Sequence, residues 1–393
     1  MEFLTKTRRR RLIRRIAPWL TSAVLICLAC RDSSQQPGPG TLRHEFLGEG
    51  EYLGEYWPTD GWRECRPEEV GMNSAALLLV HAYAADPEFN TEGLVIVKEG
   101  YIVGEGYFRD FSIDDRHYSY SVAKSFTSAV VGMAIDNGFI TGIDEKVFQY
   151  YPQWQLPNTD PRKQQITIRH LLTMMSGIEW NEDDYYSDPS QNDAFIMHRR
   201  SDMNQYVLDK PMKDTPGEVW YYSTGNSQLL SGVVQGATDQ TVYEYARPNL
   251  LEPLGIEEIG WDHDATGQTH TGSGVRATVR EFAKFGYLYL NKGRWDKVQI
   301  VSAQWVNESV QPISNDLSHY GYHWWLKPVL SEHQNSIVPD STFIAWGIYT
   351  QQIIVIPEER MVIVRVGNDP TTGRNDWSTT TFLTKVMESV IDR

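Results

Sequence analysis

Tyr118-Ser119-Tyr120-Ser121-Val122-Ala123-Lys124-Ser125-Phe126-Thr127-Ser128-Ala129-Val130-Val131-Gly132-Met133-Ala134-Ile135 reads as the entry into a buried helix. Val122, Phe126, Val130 and Met133 recur at helical spacing. Between them lie Ala123, Ser125, Ser128, Ala129, Gly132 and Ala134, small residues that let other elements approach closely. A helix apolar on most sides belongs inside a domain.

Ser121 and Lys124 occupy the first turn of this segment, three residues apart and so on one face. A serine hydroxyl becomes a good nucleophile when a base takes its proton. A lysine becomes a base when burial or a nearby cation lowers its pKa. A helix N-terminus inside a domain supplies both the burial and free N–H groups for a developing oxyanion. Ser121 is therefore the candidate nucleophile and Lys124 its candidate base. The competing assignment is a capping serine beside a solvated lysine. The apolar context argues against it, because a lysine opening an almost wholly apolar helix is costly without a task.

The chain has 393 residues, 41% of them hydrophobic, enough for one large domain with a real core. Thirteen tryptophans and 21 tyrosines suit an aromatic-lined cleft as well as a core. The net charge is −15; residues 1–29 hold Lys6 and six arginines against Glu2, a net +6, which leaves −21 for the remainder. That charge argues against nucleic acid or an anionic membrane as a partner of the folded part.

The N-terminus has the layout of an export signal: a basic run from Arg8 to Arg15, an apolar run from Ile16 to Ala29, then Cys30 and a polar tail. The apolar run is short of the roughly 20 residues that span a bilayer. Cys27-Leu28-Ala29-Cys30 resembles a bacterial lipoprotein box, with Cys in place of the usual first Leu and Cys30 as the residue to be lipidated. Arg8-Arg9 also fits part of a twin-arginine signal. The expected organisation is a signal peptide over 1–29, a flexible tether over 30–56 and one domain over 57–393. The protein is thus expected to be exported, periplasmic or held at the membrane only through its N-terminus. Cys65 is read as a structural thiol, with no intrachain disulfide in the mature chain.

In chain order, Asn73 is placed to cap a helix through Ala85. Gly93–Phe108 contains two β-rich runs separated by Lys98-Glu99-Gly100 and predicts a hairpin. Ile166–Met175 predicts a second packed helix ended by Gly177, with His170 as a surface or capping residue of it. Residues 180–200 are irregular, acidic and aromatic, the composition of a cleft wall or lid. Helices are expected from Ser227, over Arg276–Leu290 and over Thr379–Ile391. Ser341–Tyr349, Gln352–Pro357 and Met361–Gly367 predict three successive strands. No internal repeat is present. Strands at both ends of the chain with helices between them predict an α/β (α+β) fold: a central antiparallel sheet from N- and C-terminal strands, flanking helices and an inserted all-helical lobe.

Several segments together resemble the serine β-lactamase/penicillin-binding superfamily, especially its class C β-lactamase-like esterases and 6-aminohexanoate-dimer hydrolases. The resemblance covers roughly residues 60–390. It rests on Val70-Gly71-Met72, the hairpin, Ser121-Val122-Ala123-Lys124-Ser125 and the Ile168–Gly177 segment. Pro216-Gly217 with Tyr222-Ser223, Gly274–Thr278 and Tyr320–Trp325 complete the set. It implies acyl transfer through Ser121, with Lys124 and Tyr222 sharing the proton work. A phenol oxygen near an ammonium can be kept anionic and can shuttle a proton to the leaving group. It also implies backbone oxyanion donors at Ser121 and Ile348, and substrate contacts from Thr224, Asn226, Trp346 and Gly347. Tyr185 or Tyr186 would close over the substrate.

Two departures stand out. The family's Tyr-x-Asn has Thr224 at its third position, with Asn226 two residues further on. Its Lys-Thr-Gly strand motif is replaced by Ala345-Trp346-Gly347, so the cation that would hold a β-lactam carboxylate is missing unless Arg276 or Arg374 supplies it. The expected activity is hydrolysis of a small ester, amide or short peptide, without cofactor or metal. The alternatives are a β-lactamase or DD-peptidase, or a binding protein that keeps the fold without catalysis.

Overall fold

The structure, a computed structural model, describes residues 46–183, 188–257, 259–327, 337–368 and 377–391. In chain order it contains α1 (Ser74–Ala84), β1 (Thr91–Lys98), β2 (Tyr101–Tyr107), β3 (His117–Tyr118) and α2 (Ala123–Asp136). The middle holds α3 (Ile168–Leu172), α4 (Asp193–Met197), α5 (Met203–Asp209), α6 (Thr224–Thr238) and α7 (Val242–Ala246). Then come β4 (Gly260–Trp261), β5 (Val275–Ala277), α8 (Val279–Leu290), β6 (Arg294–Trp295), β7 (Val298–Gln299) and α9 (Ala303–Ser309). The chain closes with β8 (Trp325–Leu326), β9 (Phe343–Gly347), β10 (Gln351–Ile356), β11 (Met361–Gly367) and α10 (Thr379–Glu388).

One antiparallel sheet in the order β2-β1-β11-β10-β9-β8 joins the two ends of the chain. Val95 pairs with Val364 and Ile96 with Ile363, so alternate residues enter opposite layers. Leu94, Ile96, Ile354 and Ile363 pack with Leu77 and Val80 of α1 and Phe382 and Leu383 of α10. Val95, Val97, Ile353 and Val364 pack with Phe282 and Phe285 of α8 and with α2. Both faces are covered, which is why these strands read as unbroken apolar runs. The hairpin turns on Glu99 (φ 52°) and Gly100 (φ 85°), a pair of left-handed residues suited to a two-residue loop between twisted strands.

The α1 cap is as expected: Asn73 Oδ1 accepts from Ala76 N at 2.9 Å. His170 is a capping residue, its Nδ1 accepting from Thr167 N at 3.2 Å while Thr167 Oγ1 accepts from His170 N. Several boundaries differ: α6 begins at Thr224 and not Ser227, α10 stops at Glu388 and not Ile391, β9 spans only Phe343–Gly347, and three further departures are larger. The helix expected over 166–175 stops after Leu172, and Met174 takes a left-handed φ of 61°. Residues 275–277 form strand β5 between β3 and β4, and α8 begins only after Thr278. The Thr278–Glu281 capping box fixes that start: Glu281 Oε2 accepts from Thr278 N at 2.8 Å and Thr278 Oγ1 from Glu281 N at 3.2 Å. The tether expected over 30–56 does not reach residue 56. Phe46 is buried, Leu47 bridges to Gly104, and Leu53 N donates to Tyr101 Oη at 3.2 Å. Cys65 is a buried free thiol.

Candidate active site

Helix α2 is buried along almost its whole length, from Ala123 to Ala134. Its entry is a tight turn over Tyr120–Val122, with Tyr120 at a left-handed φ of 46°. Ser119 N donates to Val275 O of β5 at 2.8 Å, which pins the turn against the small sheet. The turn thus presents Ser121 at the rim of a cleft of about 570 Å3. Lys124 follows one helical turn later and is only 2% exposed. Its Nζ donates to Ser121 Oγ at 3.0 Å, Thr224 Oγ1 at 3.0 Å and Gly272 O at 2.7 Å. Burial pulls this ammonium down to about 8, against a smaller upward pull from the Glu182 carboxylate.

Thr224 opens α6, whose cap is Ser223; Ser223 Oγ accepts from Asn226 N at 3.2 Å. The same threonine donates from Oγ1 to Glu182 at 2.5 Å and from N to Glu182 at 2.7 Å. Trp180 Nε1 donates to that carboxylate at 2.7 Å. A continuous chain therefore runs Ser121–Lys124–Thr224–Glu182. The Tyr222 ring lies 5.0 Å from Lys124 Nζ and stacks on Trp325 at 5.7 Å, and both Tyr222 and Ser121 line the cleft. Burial, with the charge of Glu182 adding to it, holds the Tyr222 phenol well above its ordinary pKa. It is therefore protonated at neutral pH, not the anion the sequence reading allowed, and it suits an acid better than a base.

The end of β9 meets the serine turn. A Cβ on Gly347 would stand 2.6 Å from Ser119 O and 3.1 Å from Ser121 N, so only glycine lets the strand come this close. Gly347 and Ile348 line the cleft, which brings the two expected oxyanion donors to one place. The walls are aromatic: Tyr118, Tyr120, Phe195, Trp325 and Trp346.

Ser121, Lys124, Tyr222, Thr224, Trp346, Gly347 and Ile348 are thus gathered together. Asn226 is not among them. It is 2% exposed and its Oδ1 accepts from Ser176 Oγ at 2.6 Å, because two residues further along α6 turns the side chain into the lobe. Arg276 is paired with Asp262 at 3.0 Å and lies 5.4 Å from the ring of Tyr118, a wall of the cleft, without lining the cleft itself. Tyr185, Tyr186, Arg374 and Cys30 lie outside the described residues. Glu182 was missed, since a carboxylate in an acidic loop carries no mark that separates it from Asp183 or Asp188. Phe195, His198 and Ser273 on the cleft wall had no motif either.

The family model "Beta-lactamase" matches residues 81–384. Among curated proteins, 6-aminohexanoate-dimer hydrolase of Paenarthrobacter ureafaciens is 25% identical over 83% of this chain and 86% of that protein. Among solved structures, "EstCE1, a hydrolase with promiscuous acyltransferase activity" superposes with a TM-score of 0.62 at 14% identity, covering 81% of this chain and 99% of that one. A penicillin-binding protein homologue from Caulobacter crescentus gives 0.61 at 14%, over 80% and 97%. At these identities the two structures speak to the fold.

Proposed function

The chain belongs to the beta-lactamase family of serine hydrolases, and we propose that it cleaves a carboxylic ester or amide through an acyl-enzyme on Ser121. The observation that carries this is the 3.0 Å contact from a fully buried Lys124 to Ser121 Oγ inside an aromatic cleft. In the neutral fraction of the enzyme, Lys124 takes the Ser121 proton and Oγ bonds to the substrate carbonyl carbon. The carbonyl oxygen becomes an anion held by the Ser121 and Ile348 N–H groups. As the C–O or C–N bond breaks, the Tyr222 phenol protonates the leaving group, and the neighbouring Lys124 ammonium returns its proton to the tyrosinate. Water then attacks the acyl carbon and the same groups run in reverse.

Among the described residues no lysine or arginine lines the cleft. This favours neutral acyl groups over the carboxylate of a β-lactam or a peptide C-terminus. The similarity to 6-aminohexanoate-dimer hydrolase supports amides as well as esters. The order of basic run, apolar run and Cys30 supports export and lipidation, which Cys30→Ser should abolish in a lipid-labelling assay.

The test is intact mass after a fluorophosphonate. One adduct is expected on the wild type and none on folded Ser121→Ala. No adduct on either form would move the protein to a non-catalytic binding role, and appreciable nitrocefin turnover would restore the β-lactamase reading.

A further inference from the structure

Arg365 sits on β11, paired in register with Leu94 on one side and Gln352 on the other, and is fully buried. A guanidinium in the middle of an apolar sheet needs a task. Its Nη1 donates to Tyr349 O at 2.6 Å, to Thr350 O at 3.2 Å and to Thr350 Oγ1. Its Nη2 donates to Phe89 O at 2.5 Å and Thr91 Oγ1 at 3.2 Å, and its plane lies 4.7 Å from the Trp377 ring. Tyr349 and Thr350 form the connection from β9 to β10, directly after Ile348. Both take left-handed φ values, 58° and 60°, although neither is glycine. That conformation is unfavourable for such residues and persists only where surroundings enforce it. Here it aims two consecutive carbonyls at one point, which a cation can satisfy. The ring of Tyr349 also packs edge-on against Tyr120 at 5.3 Å, beside the nucleophile.

We propose that Arg365 is a positioning residue of the oxyanion hole: it holds the Tyr349–Thr350 turn in its left-handed form and thereby sets the direction of the Ile348 N–H. This rests on the assignment of Ser121 and Ile348 above. Arg365 touches no substrate; it acts through the turn.

The experiment compares wild type, Arg365→Lys, Arg365→Met and Thr350→Val with p-nitrophenyl acetate and a fluorophosphonate, below the melting temperature of every form. Thr350→Val keeps the shape of the side chain and removes only its hydroxyl. Arg365→Met and Thr350→Val should lower kcat about tenfold to a hundredfold, below the roughly 10²–10³ of losing an oxyanion donor outright. KM should stay within about twofold, since the interaction forms only in the transition state. Fluorophosphonate labelling should slow by the same factor as kcat. Arg365→Lys should recover part of both, and the pH midpoint should not move, because Lys124 is untouched. Folded variants with wild-type kcat would overturn the proposal, as would a loss of rate that only tracks the folded fraction. If Arg365→Met does not fold, Thr350→Val decides alone. Absence of any wild-type adduct would remove the serine-hydrolase reading itself, and the proposal with it.

Discussion

Lys124 has three oxygens around one nitrogen and no carboxylate in direct contact, so solvent loss outweighs attraction and its pKa falls to about 8. Because the neutral amine is the base, kcat/KM should rise with pH through a midpoint near 8. Glu182 raises that pKa, so Glu182→Gln should move the midpoint to lower pH; a pH–rate profile reads the sign directly. Gly347→Ala places a methyl against backbone atoms that cannot move aside, Ser119 O and Ser121 N. It should cut kcat by roughly 10²-fold, the scale of a lost oxyanion donor, with KM little changed in steady-state assays. Ser121 and Lys124 are legible in the sequence because the chemistry dictates their types and the helix dictates their spacing, whereas Tyr222 is legible only through the resemblance carried by Pro216-Gly217 and Tyr222-Ser223. Glu182 and Asn226 are not. Their roles depend on how a loop folds back over α6 and on a side-chain direction one helical step from the cleft, and neither leaves a pattern in one chain.

Helix α2 carries its small residues for packing. A Cβ on Gly132 would overlap the indole of Trp305 on α9. Gly132→Ala should therefore cost about 1–3 kcal/mol by overpacking, despite alanine's better helix propensity, as a lowered denaturant midpoint would show. Periodicity found this helix, the hairpin and the closing strands, where apolar runs are long and glycine turns sharp. It failed at Val275–Ala277, where three residues complete a small sheet with β3 and β4. A strand that short has no period to detect, and its partners are far away in sequence. The Thr278–Glu281 box was the local signal for the true start of α8.

At the scale of the molecule, the sheet closes the two ends of the chain on each other while the inserted lobe brings Glu182, Tyr222 and Thr224 to Ser121. The alternation of strand-rich ends and a helical middle made this architecture readable. The reach of the tether was not, because Phe46 is held by long-range contacts with His81 and the Gly104 strand. A form beginning at Trp57 should be less stable than one beginning at Phe46 by about 3–5 kcal/mol, the usual cost of emptying a buried phenylalanine site. Guanidinium denaturation of the two forms measures that difference. The central claim, acyl transfer through Ser121, is tested most directly by acid-quenching the enzyme during turnover of p-nitrophenyl acetate and mapping the trapped mass by peptide sequencing. An acetyl group on Ser121, absent from Ser121→Ala, is the predicted result. Turnover at full rate with no acyl group on Ser121, or with one elsewhere in the chain, would contradict it.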